Sequence, residues 1–153
     1  MEPKLDPWYV TGLADGIGGF TYSRSDNTIA PYFALKVGAI DLSILQAIQS
    51  FFGGVGRIYE IKPARGDAWT ANHSLAYFRV TRATELLAVV DHFDRYPLIG
   101  ARAAGYGIWR NMVSLKQRFR KPDLHKFEQL AVALSALSPR RKPRTRLRFP
   151  GSS

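Results

Sequence analysis

Residues 8–20 read Trp-Tyr-Val-Thr-Gly-Leu-Ala-Asp-Gly-Ile-Gly-Gly-Phe (WYVTGLADGIGGF), an apolar run that ends in glycines and holds one carboxylate, Asp15. Asp6 is an N-cap residue type, and Pro7 follows at the first helical position, where a missing N–H costs nothing. The pattern predicts a short helix over 7–16, stopped by Gly16, Gly18 and Gly19. Two residues beyond Asp15, where a second acid is expected, stands Ile17. The question is whether this segment holds a metal for chemistry or keeps only the scaffold of a site.

Working outward, GFTYSRSDNTIAPYFALKVGA (19–39) forms two β-rich runs around Ser25-Asp26-Asn27, a hairpin by its turn residues. Residues 40–52 (IDLSILQAIQSFF) carry apolar side chains at helical spacing, closed by Gly53-Gly54. Arg57 to Lys62 alternates like a strand, 63–69 reads as a loop containing Gly66, and 72–80 (NHSLAYFRV) as a fourth strand. Thr81 is placed as the N-cap of a helix to about Asp94, with Glu85 near its first turn. Two more helices are predicted over 100–118 and 123–137, separated by Lys121-Pro122-Asp123, with Trp109, Met112 and Phe119 read as core. No internal repeat is visible.

The order α-ββ-α-ββ-α-α-α makes the fold α+β. Because helices follow hairpins rather than alternating with strands, the four strands form one antiparallel saddle-shaped sheet with helices on one face. The other face is left open, a surface suited to a nucleic-acid groove. Residues 1–138 form a single domain in this reading, and 139–153 a basic arm.

At 153 residues and 46% hydrophobic, the chain can bury one core. It has no cysteine, which excludes disulfides, zinc–thiolate sites and thiol nucleophiles. No apolar run approaches the roughly 20 residues of a membrane span. The opening MEPKLDPW resembles no signal peptide, so an intracellular setting is expected, cytoplasm and nucleoid or an organelle, with no membrane partner. The net charge is +10, and Arg140, Arg141, Lys142, Arg144, Arg146 and Arg148 account for six of those charges. Such an excess draws polyanions, nucleic acid first. His73, His92 and His125 have no partner at metal-ligand spacing and read as structural or exposed. GIGGF is no nucleotide loop, since no strand precedes it and the phosphate-binding lysine is missing.

VTGLADGIGGF (10–20) resembles the defining motif of the LAGLIDADG homing endonucleases, with Trp8-Tyr9 before it and Gly12, Leu13, Asp15, Gly18 and Phe20 on matching positions. Tyr96-Pro97-Leu98 resembles the family segment that precedes a central basic residue. Length, single motif and element order are similar to the homodimeric members, and the likeness covers residues 7–137. It implies that the motif helix packs on its twin, placing Val10, Thr11, Gly12 and Ala14 at the dimer interface. It implies paired sheets over the major groove of a long pseudo-palindromic duplex, and a double-strand break dependent on Mg²⁺, with Mn²⁺ or Ca²⁺ as substitutes. Of the family's catalytic positions, the metal-binding acid falls on Ile17 and its backbone-carbonyl neighbour on Gly16. The central lysine falls on Arg102, the first and mainly structural acid on Asp15, and the polar residue ending the second strand near Ala39.

A butyl side chain cannot ligate a hard cation, which takes oxygen donors. One carbonyl from Gly16 should hold Mg²⁺ poorly, so cleavage should suffer. Three explanations stand: a substitution made to trap uncleaved DNA, a natural copy that binds without cutting, or Asp15 swinging round as the ligand.

Strand alternation then assigns the DNA-facing side chains. These are Thr21, Ser23 and Ser25, with Arg24 at the bend, then Tyr32 and Lys36, then Arg57, Tyr59 and Lys62. Arg65 and Trp69 in the connecting loop and Asn72, Ser74 and Arg79 in the fourth strand complete the set. Arg and Lys favour guanine and Asn favours adenine. The rival readings are a non-cleaving nucleic-acid binder or RNA maturase acting on intron RNA, and a basic structural protein bound through its arm.

Overall fold

In the computed structural model, which describes residues 4–26, 28–61, 74–119 and 123–137, the Asp6 carboxylate accepts the Trp8 amide at 2.8 Å. It thereby caps α1, Pro7–Ile17. Strands β1 (Gly19–Ser25) and β2 (Thr28–Gly38) form the expected hairpin, with Ser25 opposite Thr28. Asp26 at the bend takes φ 41°, a left-handed conformation that Asp tolerates. A 3₁₀ turn over Ala39–Asp41 leads into α2, Leu42–Phe51. Strands β3 (Arg57–Ile61) and β4 (Leu75–Val80) follow, then α3 (Ala83–Arg95), α4 (Arg102–Arg118) and α5 (Leu124–Leu137).

The sheet order is β1-β2-β4-β3, antiparallel throughout, and the helices pack on one face. The α+β architecture and the antiparallel sheet are thus as the sequence predicts, with boundaries that shift for local reasons. Thr81 does not cap α3: the helix starts at Ala83 after an extended Arg82 that makes no side-chain cap bond. Glu85 instead takes the Gly56 amide at 3.2 Å. Helix α4 starts at Arg102 rather than Gly100, and the Ile99 and Gly100 amides just before it are given to Asp15. Phe119 lies past the end of α4 and is exposed, whereas Trp109 and Met112 are fully buried.

Period-two alternation decides the core. Phe33 and Leu35 on β2 and Ala76, Phe78 and Val80 on β4 face the helices and are buried. Phe20, three residues past the end of α1, is the hub. Its ring centroid lies 5.1–5.3 Å from those of Phe33, Phe93, Tyr106 and Trp109, mostly edge-to-face. Such pairs add about 0.5–1.5 kcal/mol each beyond the area they bury. Trp109 also donates its Nε1–H to the Thr21 and Tyr32 carbonyls (2.9 and 3.1 Å), tying α4 to both hairpin strands. Arg110 grips Asp94 in a bidentate pair, joined by the Tyr106 hydroxyl at 2.8 Å, which locks α3 to α4. That pair holds the Asp94 carboxyl below the usual range.

Glycine is required where backbones meet. Gly56 sits at φ 74°, and a Cβ there would lie 2.6 Å from the Arg79 carbonyl oxygen. A Cβ at Gly18 would lie 2.6 Å from the Ala14 oxygen, so the chain can leave α1 sharply into β1 only through glycine.

A buried polar contact docks α1 on α3. The Thr11 hydroxyl donates to the Tyr96 carbonyl at 2.8 Å and lies 3.0 Å from His92 Nε2. With its proton committed, the hydroxyl accepts from His92, which is therefore the neutral Nε2–H tautomer. Burial lowers the His92 pKa to about 4. The unfolded chain binds a proton near pH 6.5 that the folded imidazole refuses, so stability is full above that pH and is lost as pH falls toward 4. We expect a loss of up to about 3 kcal/mol across this window. Urea unfolding at pH 7.5 and pH 4.5 measures it, and His92→Gln should flatten the dependence.

Candidate nucleic-acid interface

The register fixes which side chains share the open face. Thr21 lies opposite Tyr32, Ala34 opposite Arg79, Lys36 opposite Tyr77, and across the next ladder Arg79 faces Arg57 and Tyr77 faces Tyr59. Among the described strand residues this face therefore carries Lys36, Arg57 and Arg79, three tyrosines and the small hydroxyls Thr21, Ser23 and Ser25, while the one strand acid, Glu60, lies on the helix-facing parity. The Arg79 guanidinium stacks 4.2 Å from the Tyr32 ring centroid, and the Lys36 ammonium lies 5.8 Å from that of Tyr77. Stacking restrains both cations before any partner arrives.

Arg57 directly opposite Arg79 is an unfavourable like-charge pair. Both line a cleft of about 290 Å³ with Thr81, Arg82 and Glu85. A single carboxylate, already turned to the Gly56 amide, leaves this cleft net positive and receptive to an anion.

At the tip of α1 the polar groups interlock. The Asp15 carboxylate accepts the Gly100 amide at 3.0 Å and the Ile99 amide at 3.2 Å. In return, Arg102 donates Nη1–H to the Asp15 carbonyl at 2.8 Å and Nε–H to the Gly18 carbonyl at 2.7 Å. A guanidinium at a helix C-terminus neutralises the exposed carbonyl dipoles. Asp15 thus clamps the segment 99–100 to the tip of α1. Ile17 lies in the last turn of α1 with 38% of its surface exposed.

These donors do not fit a divalent cation. Mg²⁺ and Ca²⁺ take oxygen ligands, usually with carboxylate among them; the one carboxylate at the tip, Asp15, is engaged with the Ile99 and Gly100 amides, position 17 offers none, and a guanidinium engages the Asp15 and Gly18 carbonyls. Among the described residues no group of three or more His, Asp or Glu side chains could hold a metal.

The two faces of α1 differ. Val10, Thr11 and Ala14 are buried against the chain's own core, so the structure corrects their placement at an interface. Gly12 does face outward, on a stripe with Tyr9, Leu13 and Gly16. A Cβ added at Gly12 or Gly16 would meet nothing within 4 Å, so another helix could approach closely there.

Arg24 turns to the helix side of the sheet, where it forms an ion pair with Glu128 on α5, its Nη2–H reaching Oε2 at 3.0 Å. Beside it the Tyr22 hydroxyl meets Ser135 at 2.8 Å. Ser74 precedes β4 and gives its carbonyl to the Ala39 amide at 2.8 Å, closing the end of β2. Lys62, Arg65, Trp69 and Asn72, and residues 138–153, lie outside the described residues. Sequence reasoning missed Tyr77 and Arg82: two steps back from Arg79 would have found Tyr77, whereas Arg82 enters only through the fold. No described helix is long and apolar enough to cross a membrane.

Comparison with known proteins agrees with this geometry. A family model described as LAGLIDADG endonuclease matches residues 10–113. The chain is 28% identical over 142 residues to probable intron-encoded endonuclease 2 of Neurospora crassa, covering 88% of this chain and 29% of that protein. It is 24% identical over 119 residues to probable intron-encoded endonuclease 3 of the same fungus, covering 73% and 21%. The chain thus spans less than a third of either relative. Among solved structures, the fold is similar to I-SmaMI bound to an uncleaved DNA target in the presence of calcium ions. The TM-score is 0.71 at 26% identity, over 87% of this chain and 44% of that one.

Proposed function

The chain belongs to the LAGLIDADG endonuclease family, and on that footing we propose that it is a sequence-specific duplex-DNA binder. In this reading it acts as a homodimer on a long pseudo-palindromic site and has lost most of the family's metal-dependent double-strand cleavage. The observation that carries the proposal is the open sheet face: among the described residues it bears three cations, three tyrosines and no acid, on the side away from the helices. The concentration of positive charge supplies attraction to phosphates, and the side chains at alternate strand positions meet base edges.

Two copies of this face give the two half-sites. The outward stripe of α1, with Gly12 and Gly16, suits a twofold helix–helix contact. The match to 44% of the I-SmaMI chain is consistent with a second copy standing in for the remainder. Residues 1–138 act as the binding unit, and the cations of 139–153 add phosphate attraction without sequence preference. Ile17 and the carbonyl-engaged Arg102 account for the lost cleavage.

Selection from a random duplex library tests the proposal. Recovery of a near-palindromic consensus, with plasmids bearing it left uncut in Mg²⁺, is the expected result. A preference for structured intron RNA over every duplex would replace this reading with that of a maturase. Arg79→Ala should weaken binding to the consensus by about 1–3 kcal/mol, measured by titration at fixed salt. Gly12→Leu should leave the monomer at least as stable as before, because the added Cβ meets no atom within 4 Å and leucine favours the helix over glycine. Sedimentation at micromolar protein should show dimer lost in that variant, and affinity for the full site should drop toward that of a half-site.

A further inference from the structure

We propose that Arg102 is a fixed cation built into the tip of α1 in place of a metal ion, so that the divalent-metal site is closed twice, by Ile17 and by Arg102. The inference deepens the non-cleaving reading given above, but its test needs no DNA.

The geometry is reciprocal. Arg102 Nη1 and Nε reach the carbonyls of Asp15 and Gly18, at 2.8 and 2.7 Å, on either side of the residue that would have to carry a metal-binding acid. The Asp15 side chain meanwhile accepts the Ile99 and Gly100 amides, which lie two and three residues before Arg102. Each partner therefore holds the segment that positions the other, and the guanidinium is seated rather than mobile. Its planar fork spans two carbonyls that one ammonium could not bridge in the same way. Its charge also meets the electrical need of the helix end, where carbonyl dipoles leave about half a negative charge.

Restoring an acid at position 17 would therefore not restore a metal site. The new carboxylate would emerge between two carbonyls already bound to the guanidinium and would pair with it, a charge-assisted contact that needs no metal. A divalent ion arriving there would have to displace the guanidinium fork from the two carbonyls it bridges. Arg102 is thus a positioning residue that acts on the tip backbone. Its conservative replacement by lysine frees at least one carbonyl while keeping a positive charge nearby.

Manganese titration of ¹⁵N-labelled protein reads the site directly, through paramagnetic broadening of the amide signals of residues 16–19. The wild type and Ile17→Asp should keep these signals at Mn²⁺ concentrations that erase them in Ile17→Asp/Arg102→Lys. Ile17→Asp/Arg102→Gln serves as a second double variant should the first not fold, and the remaining amide signals report folding in each case. Selective broadening at 16–19 in the wild type would overturn the proposal. So would Ile17→Asp broadening as readily as the double variants, or folded double variants that show none. If the metal result holds while no duplex is bound, the DNA reading fails and the Arg102 assignment stands.

Discussion

The structure depends on the mutual grip between the end of α1 and the segment 98–102. Asp15 uses its side chain to hold two amides of that segment, and Arg102 uses its side chain to hold two carbonyls of the α1 tip. Neither contact is a pairing of side-chain charges; each is a charged group satisfying backbone groups that helix geometry leaves without partners. Breaking one would loosen the other's platform, so the two act as a unit. Phe20, where β1 begins beyond the Gly18-Gly19 turn, then carries the constraint into the aromatic core through four rings. Helix, strand and core are thus fixed relative to one another at a single junction.

From that junction the sheet inherits its orientation. With Phe20 turned inward, alternation sends Thr21, Ser23 and Ser25 outward, and the ladders carry the same parity across β2, β4 and β3 to Arg79 and Arg57. Under the proposed function, the like-charge pair across the outer ladder makes sense as a cost accepted for binding. Two arginines opposite each other weaken the free sheet slightly but strengthen any complex that places a phosphate or a base edge between them. The cleft bounded by Arg82 and Thr81 extends the same positive field to the sheet edge.

Much of this was legible in the sequence because it is carried by period-two and period-3.6 patterns. The hairpin over 19–39, the order of elements and the outward set on β2 follow from spacing alone. Three things were not. Helix α1 is apolar all round, so spacing could not say which side faces the core. The structure turns Val10, Thr11 and Ala14 inward, where Thr11 finds Tyr96 and His92 from 80 and more residues away. Arg24 reads as a free cation beside a bend, yet parity puts it with Phe20 on the helix side, within reach of Glu128. Thr81 looks like a cap, but the sheet keeps the backbone extended through Arg82 and the helix begins later. Each of these is settled by a partner distant in sequence, which local pattern does not contain.

The same junction bears on the proposed loss of cleavage. In a site that needs a metal, the ion would serve the negative end of the helix as well as the reaction. Removing the acid alone would leave tip carbonyls without a cation and weaken the fold at its most constrained point. Arg102 supplies that charge from within the chain, so the junction no longer depends on an ion from solution. The binding face lies on a different set of side chains, joined to the tip only through backbone geometry. In the proposed reading recognition and cleavage are separable: the first needs the sheet in its orientation, which Arg102 helps to hold, and the second needs an oxygen donor, which Ile17 cannot provide.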